Sequence, residues 1–315
     1  MSWGKKLRYT VGYGFFRVLL AAAKLVPLPL MRLLFSWLGA AGFALARRDC
    51  QRAREHLEKA FGQTVDCRRI LRAQGRHLGC LLGEALWLAH ASPAAVLKRT
   101  RFVGLEHLRQ AVAGGKGAIL VTAHCGNWEW MNLALQAAGI PMTAAGRKLR
   151  NPRFDAFVRA LRTRFGGEAV TRGEGAGQAL LRALGRGRVV GLLIDQDVAV
   201  PGVFVPFFGE PAWTPSGAAF LALRRRCPVV VGFARRLADG TMELAFQPPI
   251  CPDGDYCRDE DVGTLTALLT AHIEAQVRAC PEQWVWFHQR WKRKPSPSDK
   301  VWCCPGVESP AKEGV

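Results

Sequence analysis

The chain has 315 residues, is 49% hydrophobic and carries a formal net charge of +19. That much apolar material fills one large core, so a small disulfide-stapled scaffold is excluded. The charge favours anionic partners, which leaves nucleic acid, anionic lipid and an acidic carrier protein in play, unless Arg simply serves wherever a surface charge is needed.

Ten cysteines occur, with no C-x-x-C pair and no metal-ligand spacing. Free thiols in a reducing compartment follow, which places the body of the protein on the cytoplasmic side. No internal period is present.

Taken in chain order, the first feature is "YTVGYGFFRVLLAAAKLVPLPLMRLLFSWLGAAGFALARRDC", Tyr9 to Cys50. It is strongly apolar but broken by Arg17, Lys24, Pro27, Pro29 and Arg32. Two apolar helices joined at "VPLP" are predicted, entering a membrane or lying on it with their basic residues at the headgroups. A clean span of ~20 apolar residues is missing, and no small-residue site closes a short apolar core as a cleaved leader requires. The alternative is a pair of ordinary core helices. The basic flank "ARRDCQRAR" suits the cytoplasmic side.

Amphipathic helices follow over residues 51–100, ending in a capped start at "SPAAVLKR". From there strands and helices alternate. "RFVG" is a short strand, and "AILVTA" is an all-apolar run of the kind buried on both faces of a sheet. "NWEWMNLALQAAG" is a helix, "PMTAAG" a strand, and "NPRFDAFVRALRTRFG" a helix with Pro152 near its start. "GEAVTR" and "RVVGLLIDQD" are strands around the helix "GAGQALLRALGRG". "TPSGAAFLALRRR" is a helix, two strands follow in "CPVVVGFARRL" and "TMELAFQPPI", and a long helix runs through "DVGTLTALLTAHIEAQVRAC". The fold class is therefore α/β, a mostly parallel sheet flanked by helices. Residues 1–50 form the N-terminal membrane-associated helices, 51–295 the catalytic domain, and 296–315, rich in Pro, Ser and Gly, a disordered tail.

Ligands of such sheets bind beyond the carboxyl ends of the strands. His124 ends one apolar strand and Asp195 another, and Arg147 follows a third. Residues five apart on one helix point about 140° apart. His124 and Glu129 can therefore pair only if His124 lies in the turn and Glu129 in the first helical turn. A carboxylate there would hold one imidazole nitrogen and leave the other free to take a proton. An isolated H-x4-E also arises by chance. Cys125 beside His124 is a poor nucleophile pair, because neighbouring residues rarely aim at each other. A zinc site lacks a third ligand, and no G-x-S-x-G elbow exists. Gly173, Gly175 and Gly177 resemble a dinucleotide turn, but G-x-G-x-x-G needs glycine at Gln178.

Arginines cluster near this rim. Arg153 and Arg159 suit a solvated helix face, whereas Arg162 and Arg164, at a helix end, suit a phosphate. The segment "PGVFVPFFGEPAWTPSGAAFLAL" reads as an apolar loop whose aromatics, Phe207 and Phe208 among them, wall a greasy substrate or simply pack the core.

Four blocks in order carry a family resemblance: "HCGNWE", "GRKLRNPRFDAFVRALRTRFG", "IDQDVAVPGVFVPFFGEPAWTPSGAAFLA" and "PEQWVWFHQRWKRKP". Together they resemble the late lipid A biosynthesis acyltransferases, within the lysophospholipid acyltransferase-like superfamily. The resemblance implies an O-acyltransferase at the cytoplasmic face of a bacterial inner membrane, with no cofactor and no metal. Acyl carrier protein, or acyl-CoA, would be the donor and a lipid A precursor the acceptor. His124 would be general base and Glu129 its orienter. Arg162, with Arg147 and Arg164, would bind phosphate or the developing oxyanion, and Asp195 would sit at the site. Cys125 departs from the family, which places an aromatic residue there. A same-fold enzyme acting on another glycolipid, such as a phosphatidylinositol mannoside, is the alternative. A non-catalytic basic binder of membrane or nucleic acid is more remote, because no nucleic-acid module is present.

Overall fold

A computed structural model describes residues 3–252 and 258–304. The N-terminal apolar segment forms α1 (Trp3–Ala22) and α2 (Leu28–Leu45), broken between them at Pro27. Helix α2 is long and apolar enough to cross a membrane by length and composition. Leu30, Leu33, Leu34, Trp37 and Leu38 are exposed along it, while Leu28 and Met31 are buried.

Helices α3 (Arg47–Phe61), α4 (Cys67–Leu88) and α5 (Pro93–Leu97) lead into the sheet. The Asp66 carboxylate caps α4 and the Ser92 hydroxyl caps α5. Helix α4 buries Gly75, Gly79 and Gly83, each one turn from the next, and α2 lies on that stripe. A Cβ at Gly79 would fall 1.8 Å from the Phe35 carbonyl oxygen, so the crossing is available only to a residue without one.

The alternation then runs β1 (Thr100–Val103), α6 (Leu105–Ala113), β2 (Ala118–Thr122), α7 (Trp128–Ala137), β3 (Met142–Gly146), α8 (Pro152–Arg162), β4 (Glu168–Thr171), α9 (Ala176–Gly185) and β5 (Val189–Leu193). After them come β6 (Gly202–Phe207), β7 (Glu210–Pro215), α10 (Gly217–Arg225), β8 (Val229–Arg236), β9 (Met242–Phe246) and α11 (Asp259–Ala279).

Seven strands form one sheet in the order β1-β9-β8-β2-β5-β3-β4. Strands β8, β2, β5, β3 and β4 are mutually parallel, and β9 with β1 runs the other way. The expected α/β architecture is the observed one. Strand β2 is buried throughout. Ile119 and Val121 enter the core packed by α9, α10 and α11, whereas Ala118 and Leu120 enter the one packed by α6 and α7. Burial on both faces is why "AILVT" carries no polar alternation.

Two expectations differ from the structure. The apolar segment read as a loop is the hairpin β6–β7. Its two-residue turn puts Phe208 at φ 53° and Gly209 at φ 73°, both left-handed. A Phe-Gly turn lacks the Asn-Gly or Asp-Gly signal. Burial of the Phe208 ring against Phe61, Phe207 and Trp286 offsets its strained backbone. The second difference lies in the tail, of which residues 296–304 are seated. The Trp302 backbone N–H donates to Phe204 O at 2.9 Å, and the indole lies against Gly263. Residues 305–315 lie outside the described residues.

Candidate active site

Parallel register builds the site. Thr122 of β2 pairs with Leu193 of β5, so the residues two further on, His124 and Asp195, leave the sheet side by side. Asp195 Oδ1 lies 2.8 Å from His124 Nδ1. Asp195 Oδ2 accepts the His124 backbone N–H and the Trp284 indole N–H, each at 2.8 Å. Burial alone would raise this carboxyl's pKa, but the facing imidazole and these donors hold it well below the usual carboxylate range. A buried anion at Nδ1 fixes the proton on that nitrogen and leaves Nε2 as the basic atom.

The turn after His124 is locked from two sides. Val285 N donates to His124 O at 3.2 Å, and Gly126 N to Gln283 O at 2.9 Å. Gly126 has φ 61°, and a Cβ there would stand 1.7 Å from Ala234 O, so no other residue fits. Asn127 caps α7 by accepting from Trp130 N at 2.9 Å, and its Nδ2 donates to Glu84 Oε2 at 2.7 Å. Glu84, fully buried, also takes two bonds from Arg236 at 2.7 Å and one from Arg32 at 2.6 Å. Burial opposes its charge, and the arginines more than compensate, so its pKa falls to about 2. Through Arg32 this buried cluster ties α2 to the turn that carries His124.

Glu129 sits in the first turn of α7, as the spacing required. Its carboxylate is engaged by Arg162, from Nε at 3.0 and 3.1 Å and from Nη2 at 2.5 Å. The expected Glu129–His124 pairing is therefore replaced by two pairs, His124–Asp195 and Glu129–Arg162. Burial works against the Arg162 charge, and Glu129 raises its pKa above the ordinary value nonetheless.

A cavity of about 520 Å³ opens at His124. Val170, Leu180, Leu192, Ile194, Val198, Val200 and Phe220 form its apolar wall, and Trp128, Arg147, Arg162, Arg172 and Gln196 stand with His124 at its polar side. The Trp128 ring meets the His124 ring edge-on at 4.8 Å, whereas Trp130 is buried and stacks on Trp87 at 5.3 Å. The volume and lining suit one linear apolar chain whose end reaches His124.

Other predicted residues lie elsewhere. Phe207 and Phe208 are buried beside Trp284, Trp286 and Trp291 rather than lining the cavity, because their hairpin inserts into the core. Arg164 points away from the rim and donates from Nη2 to Ala91 O at 3.1 Å. Cys125 is buried with its sulfur 3.7 Å from that of Cys280. That contact and burial push its thiol well up, the reverse of an activated nucleophile. Among the described residues no group of three or more His, Cys, Asp or Glu side chains is placed to hold a metal ion.

Sequence reasoning passed over Trp284, Gln196 and His288, all beside the His124–Asp195 pair. Trp284 and His288 belong to "QWVWFHQRW", whose aromatic density reads as core, and Gln196 is the uncharged residue inside "IDQD".

The chain is similar to known proteins. A profile described as "Bacterial lipid A biosynthesis acyltransferase" matches residues 3–293. A lipid A biosynthesis acyltransferase of Haemophilus influenzae is 32% identical over 204 residues, 64% of this chain and 62% of the relative. A phosphatidylinositol mannoside acyltransferase of Mycobacterium tuberculosis is 31% identical over 60% of this chain and 58% of its own length. The matched stretch thus spans less than two thirds of either relative. The lipid A biosynthesis lauroyltransferase of Escherichia coli is 28% identical over 280 residues, 86% of this chain and 88% of the relative.

Proposed function

This chain belongs to the bacterial lipid A biosynthesis acyltransferase family, and from that membership and the His124 site we propose that it moves a fatty acyl group from a thioester donor, acyl carrier protein or acyl-CoA, to a hydroxyl of a lipid A precursor. The observation that carries the reading is a histidine whose Nδ1 faces a buried carboxylate at 2.8 Å, at the mouth of an apolar cavity of about 520 Å³.

The acyl chain lies in the cavity and brings the thioester carbonyl to His124. The acceptor hydroxyl gives its proton to Nε2 while its oxygen attacks the carbonyl carbon. The tetrahedral intermediate collapses, the C–S bond breaks, and the leaving sulfur takes the proton back from the imidazolium. Asp195 stabilises that imidazolium and keeps the ring in the tautomer that can act. Glu129 orients Arg162 at the polar side of the cavity rather than the base itself. Arg147 and Arg172 at the rim are placed for an acceptor or carrier phosphate.

Helix α2, with its exposed Leu and Trp residues, seats the enzyme in the bilayer where both substrates meet. The cytoplasmic face of the inner membrane fits the free thiols and the basic flank of α3. A phosphatidylinositol mannoside acceptor is the second reading, favoured by the mycobacterial relative. Purified full-length protein in detergent, given acyl carrier proteins of several chain lengths and either a tetra-acylated lipid A precursor or a phosphatidylinositol mannoside, decides between them. Mass gain of one acyl group on the lipid A precursor is expected. Gain only on the mannoside moves the assignment to the second reading, and gain on neither refutes both.

A further inference from the structure

Two side chains at the reacting face have no part in the chemistry above. Gln196 Nε2 lies 3.3 Å from His124 Nε2, and 2.6 and 3.1 Å from Nδ1 and Nε2 of His288. The His288 ring stands perpendicular to that of His124 at 5.1 Å. Gln196 borders the cavity directly behind Asp195 in the chain.

The orientation of this amide follows from its neighbours. Asp195 keeps the His124 proton on Nδ1, so Nε2 offers a lone pair. An amide oxygen facing it would set two lone pairs against each other, so the NH2 group must face it. Burial, and then the nearby His124, lower the pKa of His288 to about 4. A neutral His288 can accept one amide hydrogen, and Nδ1 is the nearer of its two ring nitrogens. The second amide hydrogen is then turned toward the place where the acceptor hydroxyl and the thioester carbonyl must meet.

We propose that Gln196 is a further catalytic residue of this acyl transfer, an amide donor to the oxygen that becomes negative in the tetrahedral intermediate, and that His288 is the positioning residue that aims it. Before substrate arrives the same N–H holds Nε2 of His124. When the hydroxyl takes that place, the carbonyl oxygen lies one carbon further on, and the amide turns to it while remaining anchored to His288. A donor fixed before the reaction needs no reorganisation as charge develops, which is where such groups act most strongly. The inference rests on the acyl-transfer reading.

The test is a kinetic cycle on full-length protein in detergent, with acyl carrier protein thioester and lipid A precursor as substrates. Gln196→Leu is expected to lower kcat by about 10²–10³-fold with KM within about twofold, the cost of one oxyanion donor. His288→Phe keeps the ring volume but removes the acceptor, and is expected to lower kcat by about tenfold in the wild-type background. In the Gln196→Leu background His288→Phe should cost nothing more, because His288 acts only through Gln196.

His288→Asn places Oδ1 where Nδ1 stood, and should recover most of the turnover lost in His288→Phe. Four results overturn the proposal: wild-type turnover in Gln196→Leu, a loss confined to KM, an equal His288→Phe penalty in both backgrounds, or a His288→Asn loss matching that of His288→Phe. The parent reading fails separately, by the absence of acyl transfer from the wild-type enzyme, which none of these four results requires.

Discussion

The carboxylate that faces the His124 imidazole belongs to Asp195, 71 residues away in the chain, and not to Glu129, five residues away in the same motif. Glu129 instead holds Arg162 with both oxygens. The H-x4-E spacing thus marks two neighbouring pairs, His124–Asp195 and Glu129–Arg162, at one helix start. One is aligned with the base and the other with the cavity.

Asp195→Asn therefore should be the costliest conservative change at the site. It keeps the volume but removes the anion that fixes the His124 tautomer and stabilises the imidazolium. We expect kcat for acyl transfer to fall by about 10²–10⁴-fold, with the fold retained by circular dichroism. Turnover within tenfold of wild type contradicts the assignment of Asp195 as orienter.

Glu129 should couple energetically to Arg162 rather than to His124. A double-mutant cycle on transfer rate with Glu129→Gln and Arg162→Met is expected to give a coupling of about 1–3 kcal/mol, as for residues in direct contact. The same cycle between Glu129→Gln and Asp195→Asn should be nearer to additive. The reverse ordering of the two couplings shows that Glu129 works on the base after all.

Much of this was legible in the amino acids. "AILVT" declares a strand buried on both sides, and Asn127 and Ser92 declare helix starts that the structure contains. His124 and Asp195 are both recognisable as strand-end residues. Their pairing is not, because it depends on the β2–β5 register, a tertiary property that pairs Thr122 with Leu193. The Phe208 turn was hidden for another reason. Its left-handed backbone is permitted by ring burial among residues distant in sequence rather than by local turn chemistry. Likewise the glycines of α4 have meaning only once α2 lies across them.

Acid should destabilise the protein in two stages. Burial, and then Arg236, lower the pKa of His77 to about 3, and burial lowers that of His288 to about 4. Both folded values lie below the ordinary 6.5. As pH falls below 6.5, the unfolded chain takes up protons that the folded chain refuses, and stability drops by up to about 1.4 kcal/mol per pH unit for each histidine. The second stage belongs to Glu84, whose stabilisation is complete above 4.5 and is lost as pH falls toward 2. Urea midpoints in detergent should decline from pH 7 to pH 5. His77→Asn, which keeps an acceptor for Arg236, should flatten that slope, and an unchanged slope contradicts the assignment.

The cavity should set which acyl chains are used. Ala176, at the start of α9, lines it and is only partly buried, so a larger side chain there can enter without displacing the core. Ala176→Phe is expected to shift donor preference toward shorter chains, each excluded methylene forfeiting about 0.8 kcal/mol, or roughly fourfold in kcat/KM. Competition between acyl carrier proteins of different chain length reads this directly. An unaltered preference places the acyl chain elsewhere.

The most direct test of the central claim is acyl transfer by full-length wild-type protein and by His124→Gln, side by side, with acylated product quantified by mass spectrometry. Gln keeps a polar side chain beside Asp195 but cannot take up a proton. The account predicts transfer to the lipid A precursor by wild type and a loss of about 10²–10⁴-fold in His124→Gln at unchanged melting temperature. Equal turnover by the two proteins would contradict it.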